Sequence, residues 1–453
     1  MTIGAAALAM PSAVFAHGSE GGFVLLLPTD VYTMAGVQVV ALTFLLLVLV
    51  RDTWVSKLFG VVASAKRDQS VSQILASLIS FALMVLALGV GLAGSRDPLS
   101  NMLPLRFWTL GWVALVGLSG VIGNLWHWLN PWRGLYQVMG APDPVLHLPD
   151  RIGVWSACAL LFAFAGFLLA YPATDDPAIL AYYLGTYWLV HMLGMVLAGP
   201  AWLERAEIAT VLFGLYGRLS PLYLGQDGIS LGGPGAQILR YAPPAGLGLF
   251  ALILLGFGSF DGINETFWWL ARIGVNPLEY PGRSAVIVPT LIGLCLTCLL
   301  IIATVALAVW LGRAMMRDKP DFRQALNWMA LSLLPIALVY HFAHYLPSFL
   351  VYGQYALAAL SDPFATGADL LGIEPFYVTT GFFNRIDTVR VIWLTQAGAV
   401  VLGHVWSLLL SHAIALKLAK TGKDALKLTL PLSVMMISYT FLGLWLLAAA
   451  KGA

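Results

Sequence analysis

Long stretches without charged residues constrain this chain more than any other feature of its sequence. Ten stretches contain no Asp, Glu, Lys or Arg: 31–50, 69–95, 107–132, 152–174, 177–203, 241–260, 284–312, 324–350, 391–416 and 428–450. A helix of about 20 apolar residues crosses the hydrocarbon core of a bilayer. The sequence therefore predicts an all-α fold, a polytopic helical membrane bundle of about ten transmembrane helices.

The composition excludes several other classes of protein. Only 10% of the residues are charged and 60% are AVILMFWYC, whereas about 25% of a soluble protein is charged. A soluble enzyme, a disordered protein and a nucleic-acid binder are excluded, and the lipid bilayer is the expected environment. The shorter charge-free run 208–217 cannot span, so we predict an interfacial or re-entrant segment.

The distribution of basic residues predicts the orientation. If all ten stretches span, the loops 51–68, 133–151, 204–240, 313–323 and 417–427 hold 17 of the 24 Lys and Arg residues. Basic residues collect on the cytoplasmic side of inserted proteins. We therefore expect both termini in the periplasm and the chain in the bacterial inner membrane.

The amino-terminal segment differs from the ten stretches. Residues 1–16 are small and apolar and end in Val14-Phe15-Ala16, which resembles the cleavage pattern of a secretory signal peptide. The predicted organisation is a signal peptide over 1–16 followed by a single transmembrane helical domain over 17–453.

Histidines are the main ionisable residues within the predicted spans. His341 and His344 stand three residues apart, so both rings lie on one face of a helix, in the outer half of the membrane. Imidazole pairs of this kind suit Zn²⁺ or a similar divalent transition metal, although hydrogen bonding to neighbouring helices is the alternative. His191 and His404 are predicted near the midplane, where they could meet as further metal candidates, and His412 near the cytoplasmic face.

Carboxylates collect in the predicted periplasmic loops. Asp261 follows the sixth stretch and Asp362 follows the eighth. Taken alone, each suits a helix cap or a turn. Together with Glu265, which follows Asp261, and with His341 and His344, they predict a site at the periplasmic mouth for water activation by a metal or by His and Asp. The side chains of Asp261, His344 and Asp362 are expected within about 10 Å of one another.

Several short segments resemble a family of polytopic bacterial membrane proteins known as fenitrothion hydrolases. The segments, in chain order, are Asn130-Pro131-Trp132-Arg133, Trp202-Leu203-Glu204-Arg205, Phe213-Gly214, Arg218-Leu219-Ser220-Pro221-Leu222, Phe260-Asp261-Gly262, Ala343-His344-Tyr345, Ser361-Asp362-Pro363 with Asp369-Leu370, and Gly403-His404-Val405 with His412. The resemblance runs from about Asn130 to the last span. His341 departs from it, because an apolar residue is usual there.

The resemblance implies hydrolysis of lipophilic organophosphorus triesters by a membrane-embedded protein, with a second subunit as a further implication. The positions of this chain that match functional positions of that family are Asp261, His344, Asp362, Asp369, His404 and His412. We expect Asp261, His344 and Asp362 to be catalytic, and His344, His341, His404, His191 and Asp261 to be the metal candidates. The alternatives are a membrane metal-handling or transport protein and a non-catalytic subunit that anchors an exported partner.

Overall fold

The chain forms a bundle of long apolar helices. The computed structural model describes residues 24–65, 70–225, 228–374 and 376–451, and 74% of the chain is helical. Ten helical segments are long and apolar enough to cross a membrane, and we number them spans 1 to 10: Thr29–Leu49, Val71–Ala93, Met102–Ile122, Asp150–Ala170, Pro177–Ala198, Leu247–Asn264, Ile287–Met315, Phe322–Ser361, Ile386–Leu418 and Gly422–Ala448. Each corresponds to one predicted stretch, so the helical membrane architecture is confirmed at this level.

Shorter elements connect the spans. The short helices are Asp52–Leu58, Trp126–Leu129, Arg133–Val138, Ala201–Ala206, Ile208–Leu219, Ala236–Arg240 and Phe267–Arg272, with 3₁₀ turns at Pro277–Glu279, Arg283–Ala285 and Gly381–Asn384. Three strands, β1 (Val61–Ala65), β2 (Leu222–Gly225) and β3 (Gly228–Gly232), form an antiparallel sheet in the order β1-β3-β2. No sequence pattern described above predicts this sheet.

Burial separates the central helices from the peripheral ones. The most apolar windows of spans 6, 8 and 9 are 78%, 72% and 61% buried, against 22% for spans 1 and 2. A helix that is apolar all round and buried lies in the interior of a bundle, whereas exposed apolar faces suit contact with lipid. Spans 6, 8 and 9 therefore form the core, and spans 1 and 2 lie at its edge.

Small residues allow the central helices to approach closely. A Cβ on Gly403 of span 9 would lie 2.1 Å from Val339 Cγ2 of span 8, and a Cβ on Gly256 of span 6 would lie 2.9 Å from Cys298 Sγ of span 7. Close backbone approach at small residues is the usual way in which helices pack within a bilayer. Spans 8 and 9 are joined further by Gln396 Nε2, which donates to the Ala343 carbonyl at 2.7 Å.

Two spans depart from the simple helices predicted. Span 3 contains a π-helix over Leu105–Leu115 and ends at Ile122, about ten residues before the predicted end; Gly123, with φ +100°, stops the helix there. Span 8 is interrupted at Ser332 and Leu333 and then continues as one helix to Ser361, well beyond the predicted end at 350.

The short charge-free run 208–217 lies in the helix Ile208–Leu219. Its 12 residues cover about 18 Å, which is too short to cross the hydrocarbon core. Val211, Leu212, Leu215 and Leu219 are all buried, so the helix lies among other helices. Its depth in the membrane, re-entrant or interfacial, stays a prediction.

The two ends of the described chain are neighbours. Val24 and Leu27 belong to the same apolar cluster as Leu446 and Leu447, and Phe267 N donates to the Ala450 carbonyl at 2.9 Å. Both ends therefore lie beside the carboxyl-terminal end of span 6. The predicted signal peptide, residues 1–16, lies outside the described residues.

Candidate functional site

A buried carboxylate and a buried histidine meet between spans 6 and 8. His344 Nε2 lies 3.2 Å from Asp261 Oδ2, with side-chain exposures of 7% and 10%. The hydroxyl of Tyr345 donates to the same Asp261 oxygen at 2.6 Å. The structure thus brings together Asp261 and His344, as the sequence predicts, and it adds Tyr345 as a second donor.

Asp261 lies within a span, not in the following loop as predicted. The helix of span 6 continues to Asn264, so the carboxylate occupies its last turn. A charge at this depth is costly unless it is paired. The contacts with His344 and Tyr345 supply that pairing. A prediction based on charge-free stretches therefore ended span 6 four residues too early.

Glu265 completes a group that could hold a metal ion. Asp261, Glu265 and His344 each offer a ligand atom, and these atoms lie within 4.8 Å of one another. Two carboxylates and one imidazole form a donor set that suits Zn²⁺ and similar divalent metals. Glu265 also pairs with Lys451 at 3.3 Å. Glu265 is one of the carboxylates expected at the periplasmic mouth but is not among the predicted metal candidates, although its spacing of four residues from Asp261 places both carboxylates on one helical face.

Aromatic rings hold His344 in place. Its ring is stacked against Tyr340, with centroids 5.9 Å apart, and meets the Tyr345 ring edge-on at 4.8 Å. Nε2 faces Asp261, and in the described part of the chain the buried Nδ1 has no hydrogen-bond partner. One ring nitrogen is thus oriented by a carboxylate while the other is left without a protein partner.

A small cavity adjoins the pair. It is lined by Trp112, Tyr216, Leu254, Leu255, Phe257, Gly258, Asp261, Ala337, Tyr340, His341, His344 and Tyr345. The volume of the cavity is about 20 Å³. A single ordered water needs roughly 10–15 Å³ by the same measure. The cavity therefore accommodates one or two waters but is too small for an aryl phosphotriester.

His341 lines this cavity but is not part of the metal-binding group. Its Nε2 lies 2.7 Å from the carbonyl oxygen of Trp112, in the π-helix of span 3, and its ring meets the Trp112 ring edge-on at 4.9 Å. A nitrogen that donates to a carbonyl has no lone pair for a metal. Nε2 of His341 is therefore not available to a metal, and His341 is not in the group whose ligand atoms lie together with those of His344, although both rings do share one helical face.

Asp362 lies far from the pair, and its predicted convergence with Asp261 and His344 is wrong. It follows the end of span 8, 18 residues after His344, which is about 27 Å along a helix. Its carboxylate accepts hydrogen bonds from the backbone of Thr366 at 2.9 Å and Gly367 at 2.6 Å. These bonds hold the pKa of Asp362 below its usual value, as expected of a turn-capping carboxylate. The continuation of span 8 past Pro347 carries Asp362 away.

Asp369, which the resemblance carries over, belongs to the same turn. Its carboxylate accepts from the Ser361 hydroxyl at 2.8 Å and from Ile373 N at 3.0 Å. The Ser361 hydroxyl is the main cause that lowers the pKa of Asp369. Asp362 and Asp369 therefore organise the loop after span 8.

The remaining histidines have separate surroundings. His191 Nδ1 accepts from Trp202 Nε1 at 3.1 Å, while His404 Nδ1 lies 2.8 Å from the Val400 carbonyl and its ring lies 6.0 Å from that of Tyr439. The predicted pairing of His191 with His404 is therefore not formed, and neither joins the metal-binding group. His412 lies apart, as predicted, with Nε2 3.3 Å from Asp52 Oδ1.

Comparison of the chain with protein-family profiles, with curated proteins and with solved structures found no match. The fold and the site therefore define only a class, that of multi-pass helical membrane proteins. Within this class, the group of Asp261, Glu265 and His344 is the one that, among the described residues, could hold a metal.

Proposed function

We propose that this chain is an inner-membrane hydrolase that acts on lipophilic organophosphorus triesters at Asp261, Glu265 and His344. The observation that carries the proposal is the buried His344–Asp261 contact, at 3.2 Å, beside a cavity large enough for water. An oriented imidazole next to a carboxylate is an arrangement that activates water as a nucleophile. The resemblance to fenitrothion hydrolases supplies the substrate class.

His344 acts as the general base in this proposal. Asp261 accepts the Nε2 proton and so fixes the tautomer in which Nδ1 carries a lone pair. Nδ1 takes a proton from a water in the cavity as the water oxygen bonds to phosphorus. The bond from phosphorus to the aryl oxygen breaks, a phenolate leaves, and Asp261 stabilises the imidazolium until its proton is lost.

In an alternative form of the site, Asp261, Glu265 and His344 would hold a divalent metal such as Zn²⁺, and His344 would then be a metal ligand instead of the general base. A metal there would polarise the phosphoryl oxygen and lower the pKa of a bound water. Tyr345 holds Asp261 in place through its 2.6 Å hydrogen bond. Lys451 positions Glu265 from the end of span 10 at 3.3 Å.

The site must open before a triester can bind. In this conformation the cavity has room only for water. Its walls include Trp112, Phe257 and Leu254. An apolar triester partitions into the bilayer and would enter laterally between spans 3 and 8, where Trp112 and His341 form the wall. Displacement of the Trp112 ring is then part of substrate binding.

The topology that accompanies this proposal follows from the basic loops. With both termini in the periplasm and residues 1–16 removed as a signal peptide, the carboxyl-terminal end of span 6 faces the periplasm. Asp261, Glu265 and Lys451 would then lie near the outer surface. This side is accessible to substrates that arrive from outside the cell and to an exported second subunit.

A chromogenic assay tests the hydrolase. Purified full-length protein is mixed with a p-nitrophenyl dialkyl phosphate, with and without a chelator and with Zn²⁺ returned, and nitrophenolate release and bound metal are both measured. Loss of the general base in H344A should lower turnover about 100-fold or more. The matched variant H191A removes another buried histidine and should keep turnover.

The outcomes separate the three functions considered. Metal binding that H344A abolishes, without any turnover in the wild-type protein, would support metal handling or transport. Turnover that appears only with a second subunit, and that survives H344A, would support an anchoring role. Wild-type turnover equal to that of H344A would contradict the proposal.

A further inference from the structure

A line of buried polar side chains follows span 9 towards the opposite end of the bundle. His404, Ser407, Ser411 and His412 are each 1% exposed or less. Eight residues separate the two histidines, which corresponds to about 12 Å along the helix. We call these four residues the span 9 polar line. Polar side chains deep in a membrane bundle are costly and are usually functional.

One end of the span 9 polar line approaches the candidate site. The His404 ring lies 6.0 Å from that of Tyr439 in span 10, and the Tyr439 hydroxyl is hydrogen-bonded to that of Ser259 in span 6. Ser259 precedes Asp261 by two residues. Side chains with exchangeable protons therefore lie between His404 and the helix turn that carries Asp261.

The other end of the line reaches the surface. His412 Nε2 lies 3.3 Å from Asp52 Oδ1, and the side chain of Asp52 is 45% exposed. Asp52 begins the short helix Asp52–Leu58 in the loop between spans 1 and 2. It is the charged group that pairs with His412, and it connects the bundle interior to water outside the hydrocarbon core.

Three polar atoms on the line have no partner in the described part of the chain. They are His404 Nε2, Ser407 Oγ and His412 Nδ1, and all three are buried. Buried polar atoms are nearly always hydrogen-bonded, to protein or to ordered water. A helix that needed only packing here would carry apolar side chains, because each unpaired group costs about 1–3 kcal/mol.

We propose that the span 9 polar line is a proton path, so that this protein moves protons between the two faces of the bundle. A proton from the end of span 6 that carries Asp261 passes by way of bridging water, Ser259 and Tyr439 to His404 Nε2. Because His404 Nδ1 is bonded to the Val400 carbonyl, His404 takes up and releases its proton at the same nitrogen.

The second half of the path runs through His412. Ser407, Ser411 and bridging water carry the proton to His412 Nδ1. As Nδ1 gains this proton, Nε2 releases its own to the carboxylate of Asp52, which passes it to water. No other bond forms or breaks, and the transmembrane proton gradient drives the net movement. A charged imidazolium is least favourable at His404, so that step limits the rate.

Proton flux into vesicles tests the path. Full-length protein is reconstituted into phosphatidylcholine–phosphatidylglycerol vesicles that contain a pH-sensitive dye, and a potassium diffusion potential is applied with valinomycin. We expect acidification at least about tenfold faster than in protein-free vesicles, and H404Q and H412Q should each lower it about tenfold, which corresponds to a barrier higher by about 1.4 kcal/mol. Y439F should lower it as well.

The control is H191Q, the same substitution at a buried histidine of span 5 that also has an unpartnered ring nitrogen. It should keep wild-type flux, and circular dichroism and gel filtration check that each variant is folded. Flux equal to that of protein-free vesicles, or flux that H404Q leaves unchanged, would overturn the proposal. The assay contains no triester, so its result is independent of the hydrolase proposal.

Discussion

At the scale of single residues, burial gives chemically identical side chains different properties. Outside the spans, His127 is 8% exposed and lies between Gln73 at 2.7 Å and Arg133 at 3.2 Å. Burial, and secondarily the charge of Arg133, lower the pKa of His127 from 6.5 to about 4. His127 is therefore neutral in the folded protein at pH 6, where an unfolded chain already binds a proton.

This shift predicts a pH dependence of stability. Because the unfolded state binds the proton more tightly, the stability due to neutral His127 is complete above pH 6.5 and is lost as the pH falls towards about 4. The midpoint of thermal unfolding in detergent should fall over this window. H127Q, which keeps a hydrogen-bonding side chain but cannot titrate, should show a smaller fall; an equal fall would contradict the assignment.

At the scale of elements, buried polar contacts position the connecting helices. Glu207 is fully buried and caps the helix Ile208–Leu219. Its carboxylate accepts from Thr210 N at 2.6 Å, from Tyr187 at 2.7 Å and from Trp126 at 3.2 Å. These donors satisfy the buried carboxylate, and its position at the helix amino terminus is favourable to the helix dipole. Glu207 therefore holds the helix Ile208–Leu219 against span 5 and the short helix Trp126–Leu129.

Close packing of spans 8 and 9 predicts a strong effect of substitution at Gly403. In G403V, the new side chain would meet Val339 Cγ2 at 2.1 Å and the Pro335 carbonyl at 3.1 Å. Such overpacking should cost roughly 1–3 kcal/mol and lower the thermal midpoint.

The matched control is G398V, on the same helix, where a Cβ meets nothing within 4 Å. It introduces the same β-branched residue without a clash, so its thermal midpoint should stay close to that of the wild type. Equal midpoints for G403V and G398V would show that spans 8 and 9 do not make the close contact at Gly403.

At the scale of the whole molecule, the distribution of Lys and Arg predicts the topology. A reporter fused after Lys423, in a basic loop, should report the cytoplasm, and one fused after Ala453 should report the periplasm. A periplasmic signal from the Lys423 fusion would reverse the orientation and place Asp261 on the cytoplasmic side. The neighbouring positions of Val24 and Leu447 predict that both ends report the same compartment.

The sequence by itself determined the class of fold. All ten charge-free stretches correspond to long helices, because an uncompensated charge in hydrocarbon is costly and its absence marks a span. The absence of charged residues did not predict the ends of spans 6 and 8 correctly, because there the helix continues past a paired charge or by further turns. Asp261, paired with His344, extends span 6, and the helix after Pro347 extends span 8.

Only the tertiary structure decided which residues form the site. Sequence patterns placed His344, Asp261 and Asp362 at one end of the bundle, but depth along a helix does not say which neighbour a side chain faces. The packing of span 6 against span 8 joined Asp261 and Glu265 to His344, while the length of span 8 carried Asp362 away. Composition along one helix determines whether it enters the membrane, whereas contacts between helices depend on rotation and crossing, which are set by the shapes of both partners.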